Sequence, residues 1–246
     1  MKLNLTNEDS TDSKGNYMSN SSTAVRTAGA WFAVASLLLL AALIVHGPLA
    51  HDHGEQMKDI AGRALAWAAI HWISAASLSL FATAGLIALT SGSRLTVSAS
   101  TLTAWAVLIL SAIWTMTTAV AEATVVTDAA VAGNTEMFVT WWAFAEGKAA
   151  GIAFFALAVA AIAGNEAQCS ERAVPAWSAW VATGAGVASF AGWALGRWFG
   201  MDFGNLLWVA SSVLMSVWMI WFGYALTRSR GDAQQGASAD AAKPRG

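Results

Sequence analysis

Residues 118–148 read TAVAEATVVTDAAVAGNTEMFVTWWAFAEGK, and this segment joins two long apolar stretches of the chain. It places Glu122, Glu146 and Lys148 in sequence that otherwise resembles apolar, membrane-spanning helix. An ionisable side chain inside a membrane is costly unless it is paired, hydrated or bound to a ligand. The segment therefore predicts a membrane protein with a functional site among its helices.

The composition of the whole chain supports a membrane protein. Of the 246 residues, 57% are apolar and only 11% are charged, whereas a soluble domain carries about 25% charged residues. A net charge of -2 gives no basic surface for nucleic acid, so we expect no nucleic-acid partner. The single cysteine, Cys169, excludes an intramolecular disulfide and a cysteine-ligated cluster within one chain.

The distribution of apolar residues predicts six membrane-spanning helices, because a helix needs about 20 apolar residues to cross the hydrocarbon core. The six segments are 27–49, 65–90, 98–125, 137–164, 176–195 and 205–227. A soluble bundle would need polar helix faces, which these segments lack. We predict an all-α integral membrane protein, a six-helix transmembrane bundle that is multi-pass in the cell membrane with the lipid bilayer as its main partner.

The polar ends of the chain and its loops predict domains and orientation. Residues 1–24 and 229–246 are too polar to fold alone and are predicted as disordered tails flanking a membrane domain of residues 25–228. No signal-peptide cleavage pattern follows the first apolar run, so we interpret that run as a retained span. Nine Lys and Arg residues fall on the side of the N-terminus and three on the other, which predicts that both termini are cytoplasmic.

This topology gathers the polar residues in the outer half of the bundle. The predicted metal ligands are four histidines and two carboxylates: His46, His51, His53, His71, Glu122 and Glu146. Imidazole is a common ligand of zinc, copper and iron, and carboxylates add oxygen ligands. His46 and His71 are also the candidate ligands of a haem b. The alternative for His71 is a hydrogen bond to backbone or Ser, with His51 and His53 solvated.

The two carboxylates support a second interpretation. Glu122 and Glu146, with Lys148, could carry a proton or cation through a small coupled transporter. Glu146 and Lys148 are two positions apart and face different sides of a helix, so they do not pair with each other. Glu122 could equally be an interfacial carboxylate that reaches water.

A strip of small residues on the fifth segment supports a third interpretation, an accessory subunit of a membrane complex. Small residues recur at every fourth position and allow close helix approach, either within the chain or to a homodimer or membrane partner. The strip consists of Gly184, Ala188, Gly192, Gly196 and Gly200. The sequence contains no phosphate-binding loop, Gly-x-Ser-x-Gly elbow, His-Glu-x-x-His zinc motif or Cys-x-x-Cys-His haem attachment. Enzymatic activity is left open.

Overall fold

The computed structural model describes residues 9–47, 52–147 and 151–228, with side chains from residue 22 onward except at 146 and 147. The described residues are mostly helical, without a strand among them. The helices are α1 Asp9–His46, α2 His53–Gly62, α3 Ala64–Thr90, α4 Ala99–Ala121, α5 Thr127–Val131, α6 Thr135–Trp142, α7 Gly151–Gln168, α8 Ala176–Arg197 and α9 Asp202–Arg228.

Two π-helical turns and one 3₁₀ turn interrupt or join these helices. The π-helical turn Glu122–Val126 joins α4 to α5, and a second one, Ala143–Gly147, follows α6. The 3₁₀ turn Arg94–Thr96 lies between α3 and α4. The fourth predicted segment, 137–164, is therefore divided between α6, a π-helical turn and α7.

Five of the described helical stretches are long and apolar enough to cross a membrane, which confirms the prediction of an all-α membrane protein. They are Ser22–His46, Ala64–Thr90, Ala99–Val131, Gly151–Gln168 and Asp202–Arg228. Helix α8 has 22 residues but is not among the five, since Gly, Ser and Trp make it less apolar. The count of six spans and the cytoplasmic location of both termini stay predictions.

The predicted tails also stay predictions. Helix α1 begins at Asp9, inside the region 1–24 for which we expected a disordered tail, and its apolar part begins at Ser22. Residues 229–246 lie outside the described part of the chain.

The six long helices pack in a closed ring. Going around it, α1 contacts α3, α3 contacts α4, and the order continues through α7, α8 and α9 back to α1. An aromatic core of Phe32, Phe81, Trp105, Phe155 and Phe222 lies between them. Phe32 contacts three of these rings edge to face, with centroid distances of 5.1 to 5.9 Å. The ring is thus filled by side chains in its middle.

Small residues bring neighbouring helices together. A Cβ on Gly192 would meet the backbone of Trp208 and Gly204 in α9, and one on Gly196 would meet Asn205. These two members of the small-residue strip therefore pack within the chain, whereas nothing lies within 4 Å of a Cβ on Gly184. Association with a homodimer or membrane partner through the strip stays a prediction.

Short helices cover one end of the ring. Helix α2 contacts α3, α5 and α6, and the side chains between them form a second buried cluster that includes Ile60, Trp67, Val126, Phe138 and Trp142. We call this the histidine end, because α1 ends there at His46. The opposite end, where Arg94 lies between α3 and α4, is called the arginine end.

Candidate metal centre

Three helices bring one polar residue each to the histidine end. His46 is the last residue of α1, and His71 lies about two turns into α3. Glu122 directly follows the last residue of α4. Each residue offers one ligand atom, and the three atoms lie within 4.8 Å of one another. Alternating helix directions place the end of α1, the start of α3 and the end of α4 together.

His71 is held at both of its ring nitrogens. Its Nδ1 lies 2.8 Å from the carbonyl oxygen of Trp67, one turn earlier in α3. A carbonyl only accepts hydrogen bonds, so Nδ1 must carry a proton and donate it. Nε2 lies 2.8 Å from Oε2 of Glu122, and both side chains are buried. The backbone therefore fixes the ring so that Nε2 faces the carboxylate.

The short distance between His71 and Glu122 requires a proton between them. With Nδ1 protonated, a neutral imidazole presents a lone pair at Nε2, and an ionised carboxylate also presents only lone pairs. Two acceptors at 2.8 Å would repel each other, so one proton is shared by this pair. The gap is a position that either a proton or a metal cation can occupy.

His46 is the third member of the group and is less buried than His71 and Glu122. Its Nδ1 donates to the carbonyl oxygen of Gly47 at 3.0 Å, which leaves Nε2 as the nitrogen with a lone pair. The imidazole rings of His46 and His71 are in edge-to-face contact with centroids 5.2 Å apart. His46 is half-buried, so the group is reached from the end of α1.

Trp67 packs against both imidazoles and orders the group. Its ring centre lies 4.8 Å from that of His46 and 4.6 Å from that of His71. Its indole N–H is buried and has no hydrogen-bond partner among the described residues. A hydrogen-bond donor therefore lies next to the two histidines.

Arg63 connects the group to the protein surface. Its guanidinium lies 5.1 Å from the centre of the Trp67 ring, and Nη1 donates to the carbonyl oxygen of His46 at 3.4 Å. Asp59 binds the same guanidinium through hydrogen bonds of 2.7 and 3.0 Å. The positive charge of Arg63 is thus paired with the carboxylate of Asp59 and lies against the Trp67 ring.

The π-helical turn begins at Glu122 itself. Such turns alter the regular hydrogen bonding of a helix and are frequent at functional sites. The hydroxyl of Thr127 donates to the carbonyl oxygen of Glu122 at 2.6 Å, so a side chain within the same stretch also holds this turn. The second predicted carboxylate, Glu146, also falls within a π-helical turn.

The other predicted site residues are distributed differently. His53 is exposed at the start of α2 and is not part of the three-residue group. His51 and Lys148 lie outside the described residues, and the side chain of Glu146 is not described. The roles predicted for those three residues stay predictions. Sequence reasoning missed Trp67 and the role of Arg63, although the spacing of four between Asp59 and Arg63 is a signal for an ion pair.

Fold and site together define a helical membrane protein with a cluster of two histidines and one glutamate, in which His71 and Glu122 are buried and His46 is half-buried. Comparison with protein-family models, curated proteins and solved structures finds no match to the chain. Its function is therefore inferred from the cluster itself.

Proposed function

We propose that the protein binds one transition-metal ion in the cell membrane through His46, His71 and Glu122, and that it acts in redox or metal handling. The observation that supports this is the convergence of three ligand atoms within 4.8 Å. Two imidazole nitrogens and one carboxylate oxygen suit zinc, copper and iron(II). Three protein ligands also leave coordination positions for water or a small molecule.

The spacing of His71 and Glu122 fits an ion after a small adjustment, and the ligand atom of His46 lies within 4.8 Å of both. With metal–ligand distances of about 2.0 to 2.1 Å, a nitrogen and an oxygen bound to one ion are about 2.9 Å apart at a right angle and about 3.3 Å apart at a tetrahedral angle. His71 Nε2 and Glu122 Oε2 are 2.8 Å apart. An ion that replaces the shared proton therefore needs the pair to separate by half an ångström or less.

A bare ion fits this arrangement better than a haem b. A haem bound by both histidines would place its porphyrin between the two imidazoles. The rings of His46 and His71 are in edge-to-face contact at 5.2 Å, and Trp67 packs against both. Haem binding would require these contacts to be broken.

The packing of the bundle favours a resident ion over an ion that crosses the membrane. A coupled transporter needs a path along the bundle, and the aromatic core fills the middle of the ring with buried Phe and Trp side chains. The pairing of Glu122 with His71 gives this carboxylate a local partner. The accessory-subunit alternative assigns the small-residue strip to a partner. Gly192 and Gly196 of this strip are already in contact with α9, so they are less available for one.

The test is metal binding by untagged protein purified in detergent. We expect about one equivalent of Zn²⁺, Cu²⁺ or Fe²⁺ per chain after loading and removal of excess metal. His71→Ala should lower the affinity by roughly 100-fold or more, because it removes a ligand and the partner of Glu122. His53→Ala is the matched control, since it removes an exposed histidine from the same end.

Two results would contradict the proposal. One is a protein that remains folded and takes up no metal from a buffered excess. The other is equal loss of metal in the His71→Ala and His53→Ala variants, which would assign binding to surface histidines.

A further inference from the structure

The indole N–H of Trp67 is a buried hydrogen-bond donor beside the candidate metal centre. Trp67 is fully buried, and its indole nitrogen has no hydrogen-bond partner within the described part of the chain. Burying a donor without a partner is costly, and a buried tryptophan N–H usually finds one. A buried donor that the protein itself leaves unsatisfied is therefore a place to look for a bound ligand.

The surroundings of Trp67 divide into an apolar side and a polar side. On the apolar side, the packed side chains carry no oxygen or nitrogen that accepts a hydrogen bond. They include Ile60, Val126, Phe138 and Trp142. On the polar side, the ring centres of Trp67, His46 and His71 form a triangle with sides of 4.6, 4.8 and 5.2 Å. An ion bound by both imidazoles is therefore adjacent to the indole.

The charge of a loaded centre favours an anion as the acceptor. A divalent ion held by two neutral imidazoles and the carboxylate of Glu122 keeps one net positive charge. Arg63 lies against the Trp67 ring, but its charge is paired with that of Asp59, so this pair does not alter the balance. An uncompensated charge is costly in a buried environment. One monovalent anion on the ion would cancel it.

We propose that the ion held by His46, His71 and Glu122 binds a small monovalent inorganic anion through one atom, and that the anion accepts a hydrogen bond from the indole N–H of Trp67. This inference rests on the proposed function, because the anion needs the metal ion. Three protein ligands leave a coordination position for it. Since the two imidazoles and the indole already contact one another, only an anion of a few atoms fits between them.

The test is azide binding to Cu²⁺-loaded protein in detergent. Azide bound to Cu²⁺ produces a charge-transfer absorption band, which gives the dissociation constant of azide at full copper occupancy. Trp67→Phe keeps an aromatic ring but removes the N–H, and it should raise this constant roughly tenfold or more, as expected for a lost hydrogen bond to a charged acceptor. Trp142→Phe is the matched control and should have a much smaller effect, because Trp142 packs on the Trp67 ring at 6.3 Å in the same cluster.

A second readout uses the protein without substitution. In the Zn²⁺-loaded protein, azide should shift the NMR resonance of the Trp67 indole proton more than that of Trp142, a comparison that does not depend on the folding of Trp67→Phe.

The outcomes separate this inference from the metal site itself. Copper binding without an azide band, or equal azide affinity in the native and Trp67→Phe proteins, would overturn the anion site and leave the metal site in place. Equal losses of azide affinity in Trp67→Phe and Trp142→Phe would assign the effect to packing and would also overturn it. A folded native protein that binds no metal would overturn both proposals.

Discussion

Replacing Glu122 with Gln should change the number of protons that leave the protein when a metal ion binds. In the native pair, Nδ1 of His71 keeps its proton and donates it in a hydrogen bond to the carbonyl oxygen of Trp67, so a second proton must lie between Nε2 and Glu122. A metal ion that binds both atoms must displace this second proton. In Glu122→Gln, the amide N–H donates to Nε2, and the displaced hydrogen bond carries no ionisable proton.

The structure sets the size of the effect. The gap of 2.8 Å holds one proton, and the Trp67 contact keeps the other proton in place before and after metal binding. Proton release per ion should therefore be lower by about one in Glu122→Gln than in the native protein. Comparing the two proteins at one pH cancels the protons released by His46 and by the metal-bound water.

The assay is calorimetric titration of the detergent-solubilised protein with Zn²⁺ in two buffers of different ionisation enthalpy. The difference between the two heats gives the number of protons released. Glu136→Gln is the matched control, because Glu136 is an exposed carboxylate at the same end and should leave the proton count unchanged. Equal proton release from Glu122→Gln and the native protein, with zinc bound to both, would refute the shared proton between His71 and Glu122.

Two further predictions concern stability, measured as the free energy of unfolding in mixed micelles. Gly192→Ala should destabilise the fold by about 1 to 3 kcal/mol, because its Cβ would overlap the backbone of α9. Gly184→Ala should be neutral or slightly stabilising, since its Cβ meets open space. Equal effects of the two substitutions would refute the close approach of α8 and α9 at Gly192. Arg94→Gln should cost about 3 to 5 kcal/mol, because it leaves the buried carboxylate of Glu166 without its cation, and Arg172→Gln, on an exposed residue, should stay within about 0.5 kcal/mol. A small loss in Arg94→Gln would mean that Glu166 is satisfied without Arg94.

The sequence was sufficient to bring His46, His71 and Glu122 to one end of the bundle. Apolar segments long enough to cross a membrane must alternate in direction, so the end of one helix and the start of the next lie together. This reasoning depends only on where helices begin and end. It cannot determine which way a side chain faces, and so it grouped exposed His53 with buried His71.

The irregular parts of the fold were beyond this reasoning. A π-helical turn inserts one residue into a helix without a Gly or Pro to mark it, and residues 122–126 contain neither. The predicted segment 137–164 is divided after Trp142, at the turn that holds Glu146, but the sequence reasoning interpreted Glu146 and Lys148 as site residues within one continuous helix. The ion pair between Arg94 and Glu166 joins residues 72 positions apart, which a single sequence does not connect.

For His71, a structural role as a hydrogen-bonded core residue and a functional role as a metal ligand do not exclude each other. The hydrogen bond to the Trp67 carbonyl is the ordinary solution for an imidazole inside a helix bundle. That same bond selects the tautomer in which Nε2 faces Glu122. In metal sites, the histidine ligands are oriented by a hydrogen bond of this kind from the ring nitrogen that does not bind the metal. Without an ion, the shared proton removes the cost of a buried, unpaired carboxylate. The pair is thus stable while unloaded, and its donors are already oriented for the cation that would replace the proton.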